Sequence, residues 1–280
     1  MISTENSLKI AVVGAGAMGS GIAQVAYSAG FTVTLIDPSV QALETARARI
    51  SAAPVASRPT TGPGEIFTST TFAAIAHADF IIEAVPEVLD VKLAVLHDIC
   101  AVASDTAVIA TNTSTIPITQ LAESVNRPER FTGLHFFNPV PKMALVEIIR
   151  GEHTSEATVE AATRFVEQGL GKTALAISDR PGFVVNRLLI PYLISAATML
   201  DADYCSAETI DSGMELGCGM PIGPIRLADY IGLDVLAHAA DSIYAETNDP
   251  SCRVPENIRH LVAAGHLGRK SGQGFFIYTR

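Results

Sequence analysis

The hydrophobic pattern of this chain changes character near residue 180. Before that point, short continuous apolar runs alternate with longer segments in which apolar residues recur every three or four positions. This pattern is typical of strands that are buried on both faces of a mostly parallel sheet and separated by covering helices. After the turn residues Ser178–Gly182, strand signals disappear and helical spacing continues. The sequence therefore predicts an α/β domain over residues 1–180 and an all-helical domain over residues 181–280.

The same periodicity predicts individual elements. The stretch Lys9–Asp37 has the pattern of strand, glycine turn, helix and strand. Further strands are predicted over Ile66–Ser69, Asp79–Val85, Ala107–Thr111, Phe131–Phe137, Ala144–Arg150 and Thr173–Ile177. Further helices are predicted over Pro38–Ile50, Phe72–Ala76, Leu89–Val102, Ser155–Gln168, Phe183–Ala202, Ser206–Leu216, Gly223–Ile231, Leu233–Glu246 and Glu256–Ala264. Three prolines and two glycines within Pro54–Gly64 predict a surface loop after the second helix.

The stretch Lys9–Asp37 also has the glycine spacing of a dinucleotide-binding unit of the Rossmann type. Gly14 permits a tight turn after the strand, Gly16 leaves room for a pyrophosphate, and Gly19 lets the helix lie close to the sheet. Asp37 lies 18 residues after Gly19, where its carboxylate can accept hydrogen bonds from an adenosine ribose. The same charge would repel a 2′-phosphate, so the predicted cofactor is NAD. The predicted cofactor contacts in this stretch are Gly14, Gly16, Ala17, Met18, Gly19 and Asp37.

Composition and charge exclude several classes of partner. The chain has 280 residues, of which 48% are hydrophobic, as expected of a globular protein. Its formal net charge of −10 argues against nucleic-acid binding. The four cysteines lack CxxC spacing and read as reduced thiols in a cytoplasmic protein, and no metal site is predicted. The most apolar long segment, Phe183–Leu200, contains Asn186, Arg187 and Pro191, so no membrane partner is expected.

Several polar residues follow the predicted strands, where parallel sheets bind their ligands. Glu87 follows one strand, and Asn112, Thr113 and Ser114 follow the next. Ser114 could donate a hydrogen bond to a substrate oxygen. Asn186, one turn into the long apolar helix of the second domain, is a further candidate, although such an amide is most often a capping or helix-contact residue.

His135 and Glu147 form the second candidate group. They lie twelve residues apart in two predicted strands joined by a turn, and antiparallel pairing would let their side chains face each other. A carboxylate beside an imidazole fixes its tautomer and stabilises the imidazolium, which suits a general base that removes a hydroxyl proton. A purely structural His–Glu pair is the alternative, and the nearby polar cluster favours the catalytic interpretation.

Together these motifs resemble a known family. They are, in order, Gly14-x-Gly16-x-x-Gly19, Glu83-Ala84-Val85-Pro86-Glu87, Thr111-Asn112-Thr113-Ser114, His135-Phe136-Phe137-Asn138-Pro139, Leu145-Val146-Glu147, Pro181-Gly182-Phe183-Val184-Val185-Asn186-Arg187 and Gly268-Arg269-Lys270-Ser271-Gly272-x-Gly274-Phe275. The series resembles the 3-hydroxyacyl-CoA dehydrogenases, especially the short bacterial 3-hydroxybutyryl-CoA type, over about residues 8 to 278.

The resemblance implies NAD-dependent exchange between a 3-hydroxyacyl thioester and its 3-ketoacyl form, as in fatty acid metabolism. It implies that His135 is the catalytic base, that Glu147 orients it, and that Ser114 and Asn186 hold the substrate oxygen. It also implies a homodimer that packs through the helical domains. The remaining positions at which it implies cofactor contacts are Glu87, Lys92, Asn112, Ser114, Asn138 and Lys270; from the sequence alone, both lysines would be ordinary solvated side chains.

The chain departs from the family pattern at Pro54–Gly64. The family has a longer helical hairpin there, with lysines that help to hold the adenosine phosphates of coenzyme A. This loop offers only Arg58, preceded by Arg47 and Arg49. Three substrates stay open: an unchanged CoA thioester, a hydroxyacyl group on a carrier protein, or a free hydroxy acid such as gulonate or carnitine.

A function of another class is an NAD-binding regulator without chemistry. The dinucleotide fold alone would permit this role. It gives no reason for Ser114, His135, Glu147 and Asn186 to occur together, so the enzyme interpretation is preferred.

Overall fold

The computed structural model describes residues 8–52 and 64–279. The chain divides into two compact units, Met1–Arg180 and Pro181–Arg280. Residues 54–63 of the predicted Pro54–Gly64 loop, including Arg58, lie outside the described residues.

The first unit is built on one eight-stranded sheet with the order β3-β2-β1-β4-β5-β6-β7-β8. The strands are β1 (Lys9–Val13), β2 (Thr32–Ile36), β3 (Ile66–Ser69), β4 (Phe80–Glu83), β5 (Val108–Thr111), β6 (Phe131–Phe136), β7 (Leu145–Arg150) and β8 (Thr173–Ser178). The first six strands pair in parallel, β7 is antiparallel to β6, and β8 is parallel to β7. The prediction of a mostly parallel Rossmann-type sheet is confirmed.

The helices of the first unit connect these strands. They are α1 (Ala17–Ser28), α2 (Val40–Ser51), α3 (Leu89–Val102), α4 (Ile118–Ala122) and α5 (Glu156–Arg164). Helix α2 begins two residues later than Pro38 because the Ser39 side chain caps it, accepting a hydrogen bond from the Ala42 amide at 3.2 Å. Beyond Arg164 the predicted long helix continues as a π-helical turn, Phe165–Gly169. The sequence pattern did not predict the short helix α4.

The second unit contains the five predicted helices, with ends that differ from the predicted ones by at most two residues. They are α6 (Val185–Asp201), α7 (Ala207–Cys218), α8 (Pro224–Ile231), α9 (Leu233–Thr247) and α10 (Glu256–Ala263). Apolar side chains of α6, α8, α9 and α10 form its main core. Among the described residues, no helix is both long enough and apolar enough to span a bilayer.

Asp229, in helix α8, binds the C-terminal segment of the second unit through hydrogen bonds. Its fully buried carboxylate accepts hydrogen bonds from the amides of Phe275 and Phe276 at 2.9 Å and from the Tyr278 hydroxyl at 3.0 Å. Burial raises the pKa of Asp229, and the three donors oppose this effect. The segment so held includes the 3-10 turn Arg269–Ser271, which carries Lys270.

We expect Asp229→Asn to lower the free energy of unfolding by about 2 kcal/mol, because an amide nitrogen would face one of the buried N–H donors. Urea denaturation followed by circular dichroism measures the change. Asp241→Asn is the matched control, since its carboxylate pairs with Arg259 at a half-exposed position and should contribute about 1 kcal/mol or less. An equal loss of unfolding free energy in both variants would contradict the role of Asp229 in holding the C-terminal segment.

Candidate active site

A groove of about 640 Å³ runs along the carboxyl edge of the sheet in the first unit. Its lining residues include Gly14, Gly16, Ala17, Met18, Asp37, Glu87, Asn112 and Ser114. Asp37 lines the groove beside the glycine turn, whereas Glu87, Asn112 and Ser114 come from the segments that follow β4 and β5. The groove thus brings eight of the sequence-predicted site residues together.

The three glycines of the turn meet different constraints. Gly14 has a φ of +106°, and a Cβ atom there would lie 2.6 Å from the Ala84 carbonyl oxygen. A Cβ on Gly19 would lie 1.8 Å from the Gly14 carbonyl oxygen, so only glycine lets α1 approach the turn this closely. A Cβ on Gly16 would meet no atom within 4 Å. Gly16 therefore borders open space, which leaves its backbone accessible to a phosphate group.

Asp37 connects the end of β2 to the glycine turn. One carboxylate oxygen accepts the Ala15 amide at 2.8 Å, and the other accepts the Ser39 amide at the same distance. These bonds hold the carboxylate in the groove, where it retains further capacity to accept hydrogen bonds from ribose hydroxyls. Together, the open Gly16 backbone and the anchored acid fit a dinucleotide such as NAD.

Behind the groove lies a charged cluster that the sequence did not predict. Glu83 and Lys92 are both fully buried, and Lys92 Nζ donates to the two Glu83 carboxylate oxygens at 2.9 and 3.1 Å. Lys92 Nζ also lies 3.4 Å from Glu87 Oε2. The interpretation of Lys92 as a solvated lysine is wrong, because α3 packs this side chain against the end of β4. An acidic residue within an otherwise apolar strand was the signal that could have revealed Glu83.

Glu87 organises the segment after β5. Its Oε1 accepts hydrogen bonds from the Thr113 hydroxyl at 2.6 Å, the Ser114 amide at 2.7 Å and the Thr115 amide at 3.0 Å. Burial tends to raise the pKa of Glu87, but the Lys92 charge and these hydrogen bonds outweigh burial and lower the pKa below its ordinary value. Glu87 is therefore an ionised carboxylate at neutral pH.

His135 lies between a carboxylate and a hydroxyl. The antiparallel register of β6 and β7 places His135 directly opposite Glu147, and the Nδ1 atom lies 2.7 Å from Glu147 Oε2. On the other side of the ring, Nε2 lies 3.1 Å from Ser114 Oγ. Because a carboxylate only accepts hydrogen bonds, Nδ1 carries the proton in the neutral ring and Nε2 is an acceptor. The expected cross-strand pair therefore forms.

Two other predicted residues of the first unit occupy different settings. The Asn112 side-chain oxygen accepts the Phe136 amide at 2.9 Å, which ties the segment after β5 to β6. Asn138 is exposed and begins the turn between β6 and β7, before the cis peptide bond to Pro139.

Asn186 and Lys270 belong to the second unit. Asn186 is partly exposed in the first turn of α6. Lys270 Nζ lies 2.6 Å from Asp234 Oδ1, at a half-exposed position. In the part of the chain that the structure describes, no group of three or more His, Cys, Asp or Glu side chains could hold a metal ion.

Both halves of the chain match models of one family. Residues 9–180 match the 3-hydroxyacyl-CoA dehydrogenase NAD binding domain, and residues 182–278 match the C-terminal domain of the same enzymes. A 3-hydroxybutyryl-CoA dehydrogenase of Mycobacterium tuberculosis is 41% identical over 96% of this chain and 98% of its own length. The mitochondrial hydroxyacyl-coenzyme A dehydrogenase of Sus scrofa is 38% identical over 96% of this chain and 90% of its own length.

A solved structure agrees with these similarities. The crystal structure of (S)-3-hydroxybutyryl-CoA dehydrogenase from Ralstonia eutropha superposes with a TM-score of 0.88 at 40% identity, over 97% of this chain and 99% of that one. The chain therefore belongs to the 3-hydroxyacyl-CoA dehydrogenase family and is an oxidoreductase with NAD as its cofactor.

Proposed function

We propose that the protein interconverts a 3-hydroxyacyl-CoA of the 3-hydroxybutyryl type and its 3-ketoacyl form, with His135 as the general base. The observation that carries this proposal is the continuous contact from Glu147 through His135 to Ser114, which lines the groove. A buried imidazole with an acceptor nitrogen beside a serine hydroxyl suits the removal of a proton from a secondary alcohol.

Each residue of this group has a distinct task in the proposed reaction. Bound NAD would supply the hydride acceptor for the carbon that bears the hydroxyl group. His135 Nε2 takes the hydroxyl proton, and the Glu147 carboxylate stabilises the imidazolium that results. Ser114 turns its hydroxyl from His135 toward the substrate oxygen, and Asn186 donates to the same oxygen, as the family resemblance implies. In the ketone-reducing direction His135 returns the proton.

The proposed cofactor contacts follow the length of the groove. Asp37 holds the adenosine ribose, and the backbone from Gly14 to Gly19 holds the phosphates. Glu87, Asn112 and Ser114 would then hold the nicotinamide half. Lys92 has no exposed surface, so we propose that it acts through Glu87 rather than by direct contact. Asn138 and Lys270 are proposed as further contacts by resemblance alone.

A second cavity supports the CoA thioester as substrate. It has a volume of about 510 Å³ and lies between the glycine turn and α2. Its lining includes Arg49, Ser39 and Thr45, whereas Arg47 lies outside it. A guanidinium among hydroxyl groups suits a phosphate, so we propose that Arg49 contacts the adenosine phosphates in place of the family's lysine-bearing hairpin.

We further propose a homodimer formed through the helical unit. Large apolar side chains of that unit are exposed, including Leu188 at 72%, Tyr204 at 76% and Leu216 at 88%. Contiguous exposed apolar surface marks association sites, and we propose that these side chains contribute to such a surface. Static light scattering at micromolar concentration should give the mass of two chains, and a monomer would contradict the proposal.

All four cysteines are free thiols, which supports the proposed cytoplasmic location.

We expect His135→Gln to lower kcat about a thousandfold, because glutamine cannot accept the hydroxyl proton. NAD should bind as tightly as to the unchanged protein, as measured by titration calorimetry. His153→Gln, at an exposed position, is the control and should keep full activity. Turnover at the original rate in the His135 variant would exclude His135 as the base.

We expect Arg49→Ala to raise the KM for acetoacetyl-CoA about tenfold, the size of one lost charged contact. The KM for acetoacetyl-pantetheine, which lacks the adenosine phosphates, should stay unchanged. Arg47→Ala is the control, because Arg47 is exposed on the same helix but does not line the cavity.

Initial rates on both thioesters also test the alternatives. Equal efficiency of the unchanged protein on acetoacetyl-CoA and acetoacetyl-pantetheine would contradict a CoA-specific site and favour a carrier-protein substrate. Activity on free hydroxy acids but not on either thioester would contradict both the CoA substrate and the carrier-protein substrate.

A further inference from the structure

The charged cluster behind the groove contains more negative than positive charge. Glu83 and Glu87 are two carboxylates, and Lys92 is the single ammonium group between them. Lys92 neutralises one of the two, so the cluster retains one uncompensated negative charge. All three side chains come from the strand β4, the loop after it and helix α3.

The two carboxylates differ in their access to the groove. Glu83 has no exposed side-chain surface and does not line the groove, whereas the Glu87 side chain is 24% exposed and does line it. Glu83 has a full set of partners: besides Lys92, it accepts the Val85 amide at 2.7 Å and the Thr111 hydroxyl at 2.5 Å. The uncompensated negative charge is therefore that of Glu87, which is accessible from the groove.

Glu87 is held in place from two directions. Its Oε1 is fixed by the donors of Thr113, Ser114 and Thr115, and its Oε2 points to Lys92. Lys92 in turn cannot move freely toward Glu87, because Glu83 binds it at two shorter distances. A carboxylate that cannot reorient keeps its field directed at the groove.

We propose that buried Glu83 neutralises Lys92, so that Glu87 keeps an uncompensated negative charge at the nicotinamide end of the groove, where this charge favours oxidised over reduced cofactor. The proposal rests on the proposed direction of NAD along the groove. The nicotinamide ring is cationic in the oxidised form and neutral in the reduced form, so a fixed carboxylate stabilises only the first. Asp37, His135 and Glu147 also contribute to the electrostatic potential in the groove, but none of them is changed in the variants below.

The test is the ratio of the dissociation constants of NADH and NAD, measured by titration calorimetry without substrate. Glu87→Gln removes the charge at the groove. We expect this variant to weaken the binding of NAD relative to that of NADH by about fivefold or more, because charges interact strongly where water is scarce. Glu83→Gln makes the cluster neutral without altering a residue that lines the groove. We expect a change of similar size, because Lys92 then neutralises Glu87.

The double variant Glu83→Gln with Lys92→Met distinguishes charge from packing. It removes one carboxylate and the ammonium together, so the Glu87 charge is again uncompensated. We expect the ratio to return to within about twofold of that of the unchanged protein, a non-additive result that a loss of packing would not produce. Glu160→Gln is the matched control, because this exposed acid on α5 changes the net charge of the protein by the same amount.

The outcomes separate this proposal from the proposed function. Unchanged ratios in both single variants, or a double variant that resembles the single variants, would overturn the charge-based role. If Glu83→Gln does not fold, as judged by circular dichroism, then Glu87→Gln and the double variant still carry the test. Failure of the unchanged protein to bind either nucleotide would instead overturn the assignment of the groove itself.

Discussion

A fully buried carboxylate constrains the carboxyl edge of the sheet. Removing Glu83 from water carries a large desolvation cost, which must be offset by hydrogen bonds and an opposite charge. Its partners come from three places: the loop after β4, helix α3 through Lys92, and the last residue of β5, Thr111. One side chain therefore ties together two neighbouring strands and the helix that connects them. Losing any of these partners would leave a buried charge unsatisfied.

The groove residues depend on this arrangement step by step. Lys92 brings Glu87 toward the sheet, and Glu87 accepts the backbone amides that define the path of the chain at Ser114 and Thr115. The hydroxyl of Ser114 then lies within hydrogen-bond distance of His135. The antiparallel pairing of β6 and β7 adds the last contact, between His135 and Glu147. The charged residues behind the groove and the contacts among Ser114, His135 and Glu147 thus belong to one connected network.

The region after β2 combines an intact sheet with a connection that departs from the family resemblance. Strands β2 and β3 pair in parallel, although the sequence between α2 and β3 is shorter than that resemblance implies. A surface connection can change length at little thermodynamic cost, because loop-closure entropy grows slowly with length. The described end of α2 places Arg49 beside a cavity next to the glycine turn.

The sequence by itself determined the alternation of strands and helices, the glycine turn and the family, because periodicity and turn chemistry are local properties of the chain. It also predicted that His135 and Glu147 would face each other, since a turn between paired strands sets their register. Only the tertiary structure decided that Lys92 is buried between Glu83 and Glu87. Lys92 lies nine positions after Glu83 across a loop, and its helical spacing with Leu96 and Ile99 places it on the buried face of α3. No local property of the chain shows which acid it pairs with there, because that pairing depends on the packing of α3 against the end of β4.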